Sequence, residues 1–398
     1  MAREWSYWTR NKLEILAGYL PAFNRASQTS RERIYLDLMA GQPENIDRDM
    51  GEKFDGSSLI AMKADPPFTR LRFCELNPLA SELDVALRTR FPGDGRYRVV
   101  AGDSNVTIDE TLAELGPWRW APTFAFIDQQ AAEVHWETIN KVAAFRQNPR
   151  NLKTELWMLM SPTMIARGVK GTNAELFIEQ VTRMYGDADW KRIPAARWRH
   201  HLTAPAYRAE MVNLMRVKLE YELGYKYSHR IPMQMHNKVT IFDMVFATDH
   251  WAGDAIMCHL YNRAAQKEPE MMRQAKSAKQ QKESEDRGEM GLFSVGELAV
   301  QDSNAGQILW APSPTWIRVH AAGGPRIRVS NLNKRHFIPT TSVEFTSKCL
   351  WCSTAPLLEE EWDISGSTGI ANMANPLWID RAEIWTRFAS GDNPINRT

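Results

Sequence analysis

The chain is poor in cysteine. Its four, at positions 74, 258, 349 and 352, are too few and too scattered for a disulfide framework, which fits a reducing compartment. No one sign of charge dominates: 49 basic side chains stand against 48 acidic ones, so any binding to nucleic acid or an anionic membrane must come from a local patch. Long apolar runs are missing too. Charged residues are spread through the first thirty positions, and no stretch approaches the roughly 20 apolar residues of a bilayer span, so a cytoplasmic protein is expected. The sequence contains no G-x-S-x-G, G-x-x-x-x-G-K-[ST] or G-x-G-x-x-G, which removes the simplest hydrolase, P-loop and dehydrogenase readings. Nor do His200, His201, His250 and His259 have an H-E-x-x-H spacing. Cys349 and Cys352, with His336, give three candidate ligands where structural zinc usually takes four, so they read as incidental reduced cysteines and no metal is expected.

What is present is a globular chain, with 43% hydrophobic residues and enough length for two domains or one large domain with an appendage. Fifteen tryptophans imply a large core, with some rings left for a partner surface. Within residues 1–30 the stretch WTRNKLEILAGYLPAF spaces Leu13, Ile15, Leu16, Tyr19 and Leu20 as an amphipathic helix and predicts its end at Pro21. Five apolar runs follow: RIYLDLMA (33–40), TRLRFCEL (69–76), YRVVAGD (97–103), TFAFID (123–128) and KTELWMLM (153–160). Helical patterns such as SSLIAMKA, SELDVALRTRF and DETLAELG lie between them, and this alternation predicts an α/β fold with a parallel sheet.

Residues 161–227 read as a helical insertion. The runs HRIPMQMHN (229–237) and VTIFDMVFATDH (239–250) then follow almost without a gap, so they can pair only as an antiparallel hairpin. The second run is nearly continuously apolar, which predicts a strand buried on both faces beside the fifth, with Asp243 either partnered in the interior or at an exposed end. The reading therefore divides the chain into an N-terminal helix (1–30), an α/β domain (31–265), a charged helix or linker (266–291) and a C-terminal accessory region (292–398).

Acids recur where the strands end: Glu75, Asp103 and Asp128 close the second, third and fourth runs. In open α/β sheets ligands sit outside the carboxyl ends of the strands, so these residues line the expected cleft. The lesser alternative is that they cap the helices that follow, an explanation that suits Asp103 above all. A second patch, WKRIPAARWRHHL (190–202), sets Lys191, Arg192, Arg197 and Arg199 among Trp190 and Trp198. That composition suits phosphate contacts and base stacking, or else a solvated helix whose tryptophans face the core.

Five motifs, KLEILAGYL (12–20), IYLDLMAG (34–41), GSSLIAM (56–62), FAFID (124–128) and MVFATDHWAG (244–253), together resemble the three-Cys-motif partner proteins, TcmP, over roughly residues 10–265. These are bacterial and phage-associated proteins. The resemblance implies a Rossmann-like, class I methyltransferase-type fold, S-adenosylmethionine as cofactor and a three-Cys-motif protein as partner. Carried over, Asp37, Ala40 and Gly41 would form the loop beside the methionine part and Glu75 would take the ribose hydroxyls. Asp103 with Ser104 would face the adenine, and Asp128 with Gln129 would sit where chemistry occurs. Two stretches depart from the family pattern. Gln42-Pro43 stands where the family continues A-G-P-G or A-G-S-G, and Gln129-Gln130 where it tends to have D-P-F-G. Proline has no N–H to donate and Gln adds a Cβ where close approach is wanted, so a non-catalytic binding subunit remains the alternative.

Overall fold

A computed structural model describes residues 4–286 apart from 6, 49 and 235–239. The accessory region 292–398, with Cys349 and Cys352, lies outside the described residues.

The main sheet has seven strands: β2 (Ile34–Asp37), β5 (Arg70–Glu75), β6 (Tyr97–Ala101), β7 (Thr123–Ile127), β8 (Glu155–Met160), β9 (Tyr227–Gln234) and β10 (Thr240–Thr248). They lie in the order β6-β5-β2-β7-β8-β10-β9. All five predicted strands are present and pair in parallel. The hairpin is present as well, with β10 antiparallel to both β8 and β9. The order of the first five strands reverses between β2 and β7, the switch point at whose carboxyl edge open sheets of this kind hold their ligands. The chain is a Rossmann-like α/β protein with a mostly parallel sheet and a terminal antiparallel hairpin.

Side chains alternate along each strand between two cores. Ile34, Leu36, Ala125, Ile127, Leu156 and Met158 face one, which is covered by helices of the insertion among others. Tyr35, Phe73, Phe124, Phe126, Trp157 and Phe246 face the other, an aromatic layer under α1 (Tyr7–Ala26) and α10 (Trp251–Asp286). Buried on both faces, β10 has an almost unbroken apolar sequence. Its one charge, Asp243, is 1% exposed and pairs with Arg230 of β9, 3.4 Å away. The insertion forms α6 (Pro162–Gly168), α7 (Ala174–Tyr185), α8 (Arg192–Trp198) and α9 (Ala204–Tyr221).

Two local expectations need correction. Helix α1 does not stop at Pro21 but continues to Ala26. A proline inside a helix costs about 3 kcal/mol, and the turn beyond it is held by the burial of Phe23 against Phe68 and by Asn24, whose amide donates to the Pro66 carbonyl at 2.7 Å. The second correction is a small sheet that the sequence reading lacked, made of β1 (Glu4–Trp5), β3 (Glu44–Asp47) and β4 (Lys53–Asp55). Helix α10 also runs unbroken across position 265, where the reading had placed a boundary. No helix among the described residues is long and apolar enough to cross a membrane.

Candidate functional site at the carboxyl edge of the sheet

Strand β2 delivers Asp37 to this edge. The residue is fully buried: its carboxylate accepts from the Tyr35 hydroxyl at 3.0 Å and the Met39 N–H at 3.3 Å. Burial, more than any neighbour, pushes its pKa up to about 7, against a lowering by the hydroxyls of Ser57 and Tyr35. Asp37 thus lies beneath the loop rather than in the opening.

Above it Ala40 donates to the Cys74 carbonyl at 3.0 Å, and Gly41 turns at φ +61°. A Cβ on Gly41 would meet nothing within 4 Å, so the space over this backbone is open. The Gly41 N–H donates to Glu75 Oε2 at 2.7 Å, and the Leu76 N–H donates to Oε1 at the same distance. Glu75 therefore sits at the lip of the loop with both oxygens held, each keeping a lone pair for another donor.

Gln42 and Pro43 lead into a hairpin. The chain leaves Gly41 into the β3–β4 hairpin and returns at Gly56 to start α2 (Ser57–Met62). The Gly56 N–H donates to the Pro43 carbonyl at 2.7 Å, and a Cβ there would stand 2.3 Å from the Gln42 carbonyl oxygen. Only glycine fits. Gly56 thus packs against the backbone of Gln42 and Pro43 at the base of the hairpin, and Ser57, beside it, bonds Asp37.

Asp103 caps α4 (Ser104–Glu114), accepting from the Asn105 N–H at 2.8 Å; Ser104 is buried below. The capping explanation therefore holds for Asp103, although the residue is exposed at the same edge. Asp128, past the end of β7, forms an ion pair with Lys12 of α1, whose Nζ lies 2.6 Å from Oδ1; the lysine is 4% exposed. Gln129 is fully buried. Its Oε1 accepts from the Glu133 and Val134 N–H groups at 3.0 and 3.1 Å, and its Nε2 donates to the Leu159 carbonyl at 3.1 Å. These bonds fix the chain after β7 and leave the amide facing no opening.

The edge thus gathers Asp37, Ala40, Gly41, Glu75, Asp103 and Asp128. Asp128 acts electrostatically on Asp37, and burial first, then Asp128 and Glu75, raise the Glu133 carboxyl. Lys12, Gly56 and Glu133 were not among the expected site residues. Lys12 and Gly56 each open one of the five motifs, which was the available signal. A surface cavity of about 480 Å³ lies elsewhere, against β6 and α3 (Leu79–Arg90), with Asp84, Arg88, Asp94 and Arg98 in its wall.

The basic patch is in the insertion, apart from these acids. Trp190 is 1% exposed and belongs to the core, whereas Trp198 is 51% exposed at the end of α8. Lys191 and Arg199 are exposed. Arg192 lies 4.0 Å from Asp189, and Arg197 donates to the Leu202 carbonyl at 2.6 Å, bracing the turn after the helix.

No family model matches the chain and no curated protein matches it, so the three-Cys-motif resemblance stands on the motifs alone. Among solved structures, a Legionella pneumophila protein of the DUF519 family is 12% identical over 64% of this chain and 92% of its own, with a TM-score of 0.35. A Staphylococcus aureus protein provisionally assigned as a caffeoyl-CoA O-methyltransferase is 10% identical over 57% of this chain and 82% of its own, with a TM-score of 0.29. The Rossmann-like assignment rests on strand order and direction.

Proposed function

We propose that the carboxyl edge between β2, β5 and β7 binds an adenosyl nucleoside of the S-adenosylmethionine type. The observation that carries this reading is Gly41, whose left-handed backbone leaves open space above it while its N–H holds the Glu75 carboxylate at 2.7 Å. A carboxylate fixed at the lip of a glycine turn suits two vicinal hydroxyls, since each oxygen can accept one. The residues fit the ribose end of such a ligand, with Asp103 and Ser104 toward the base. Asp37, sealed under the loop, would orient Ser57 and Met39 rather than touch the ligand.

Bound S-adenosylmethionine would supply an electrophilic methyl group. The resemblance to the three-Cys-motif partner family extends the reading to a methyltransferase-like protein that acts with a three-Cys-motif protein. Nucleic acid is then the substrate class that the exposed Trp198, Lys191 and Arg199 favour. A second reading, a binding subunit that performs no transfer, is favoured by two contacts: Lys12 neutralises Asp128, and both faces of the Gln129 amide are occupied.

Calorimetry with S-adenosylmethionine and S-adenosylhomocysteine tests the site. Saturable binding of both is expected, and absence of heat from either ligand overturns the nucleoside reading. Binding of both, with no turnover of S-adenosylmethionine on RNA, DNA or the three-Cys-motif protein, selects the second reading over the first.

A further inference from the structure

At the other side of the sheet three side chains converge outside the nucleoside edge. His229 is on β9, and Asp254 and Cys258 are four residues apart on α10, so the two share one helix face. The His229 Nε2, an Asp254 carboxylate oxygen and the Cys258 Sγ all lie within 4.8 Å of one another. His229 and Asp254 are buried and Cys258 is half-buried, leaving one side of the cluster toward solvent.

Such a trio could be a nucleophilic triad, a set of structural hydrogen bonds or a metal site. A triad needs the carboxylate on one ring nitrogen and the thiol on the other. Here Asp254 contacts Nε2, and the Cys258 Sγ lies 3.7 Å from that same Nε2. That excludes the triad, whereas the convergence of all three donor atoms within 4.8 Å of one another is what the ligands of one ion require. Zinc bonds of about 2.3 Å to sulfur and about 2.0 Å to nitrogen at a tetrahedral angle set those atoms about 3.5 Å apart, close to the 3.7 Å between Sγ and Nε2, while the Asp254 carboxylate swings off its direct contact with Nε2 to admit the ion.

We propose that His229, Asp254 and Cys258 bind a zinc ion. A thiolate, an imidazole and a carboxylate form a borderline donor set that suits zinc better than magnesium or calcium, which take oxygen. Cys258 binds as the thiolate, releasing its proton to water. Three protein ligands leave the fourth position for water or an incoming donor on the solvent side of Cys258. The ion ties α10 to edge strand β9. His229 shares a cross-strand row with Phe246, Trp157, Phe126 and Asp37, so the site is four strands from β2, roughly 19 Å at about 4.8 Å per strand. Its occupancy is therefore separable from nucleoside binding.

The test uses the full chain, stripped with a chelator and titrated with cobalt(II), which replaces zinc and reports sulfur ligation by a near-ultraviolet charge-transfer band. One cobalt per chain with this band is expected, displaced by zinc. Cys258→Ser should abolish the band, and His229→Gln should abolish tight binding. Because Cys349 and Cys352 offer a competing pair, a Cys74→Ala, Cys349→Ser, Cys352→Ser variant, in which Cys258 is the single thiol, must keep the band. The proposal is overturned by no band in the parent, by a band that survives Cys258→Ser, or by its loss in the triple variant. The triple variant decides the matter even if Cys258→Ser does not fold.

Discussion

Glu75 and Glu155 stand at opposite ends of parallel strands, and their surroundings differ accordingly. Glu75 closes β5, where the chain turns and backbone N–H groups lack ladder partners; two of these, from Gly41 and Leu76, hold its oxygens while it stays half-exposed. Glu155 opens β8 beneath α1 and is 6% exposed, with its oxygens taken by the hydroxyls of Tyr19 and Thr248. Burial first, against those hydroxyls, raises its pKa. The same side chain at the open end holds backbone N–H groups at a half-exposed lip, where the proposed nucleoside would sit, and at the closed end it serves packing. The polarity of a parallel sheet, rather than the residue type, separates the proposed ligand edge from the packed one here.

The contrast is broken most severely from the closed end. Glu155→Ala strands two buried hydroxyls, each worth about 1 to 3 kcal/mol. A loss of about 2 to 6 kcal/mol in denaturant unfolding is expected, with nucleoside affinity of the folded fraction unchanged; an unaltered midpoint would remove the structural role. Next is Asp37, buried at the floor of the open end. Its carboxyl is near 3.8 when unfolded and about 7 when folded, so between these values the native state holds the extra proton. Its contribution to stability is therefore lost as pH rises through that window, at up to about 1.4 kcal/mol per pH unit, and is level above it. Asp37→Asn cannot ionise, so the stability of the variant relative to the parent should climb from pH 4 to pH 7; a flat difference would refute the assignment.

Smaller effects sharpen the comparison. Glu75→Ala should weaken binding of S-adenosylhomocysteine by about 1 to 3 kcal/mol in calorimetry, and unchanged affinity in a folded variant removes Glu75 from the site. Least of all, Lys191→Glu with Arg199→Glu should lower single-stranded RNA or DNA binding and flatten its log–log salt slope by about 0.7 for each phosphate that is no longer neutralised. An unchanged slope would leave the patch structural. Arg197 is a poor choice for that experiment, because its bond to the Leu202 carbonyl braces the turn.

The strands and the hairpin were legible because each is an apolar run bounded by polar residues, and periodicity within a run is local information. The placement of β10 followed from its unbroken Val245-Phe246-Ala247 core, which only a strand buried on both faces requires. By contrast, β3 and β4, ENID and KFD, are short and mostly polar, without a period to detect. The acids were found in sequence, and so was the capping role of Asp103, but the surroundings of the others were not. Whether Asp37 is open or sealed depends on Tyr35 and on Ser57 beyond the hairpin, and whether Asp128 carries a bare charge depends on Lys12, brought in from α1. The convergence of His229, Asp254 and Cys258 likewise joins a strand to a helix across a turn, and no spacing rule describes it.

The reversed hairpin also has a consequence for synthesis. β9 is made before β10, yet among the described residues its one neighbour in the main sheet is β10, which also occupies the flank of β8. A nascent chain that has reached Gln234 therefore holds a strand with nowhere to dock, while Trp157 and Leu159 line an open border with unpaired N–H and C=O groups. Closure waits until Thr248 has emerged and both strands can slot in together. A stalled or truncated translation product ending between these points would carry an open, adhesive sheet border, and holdase chaperones would be expected to meet it there.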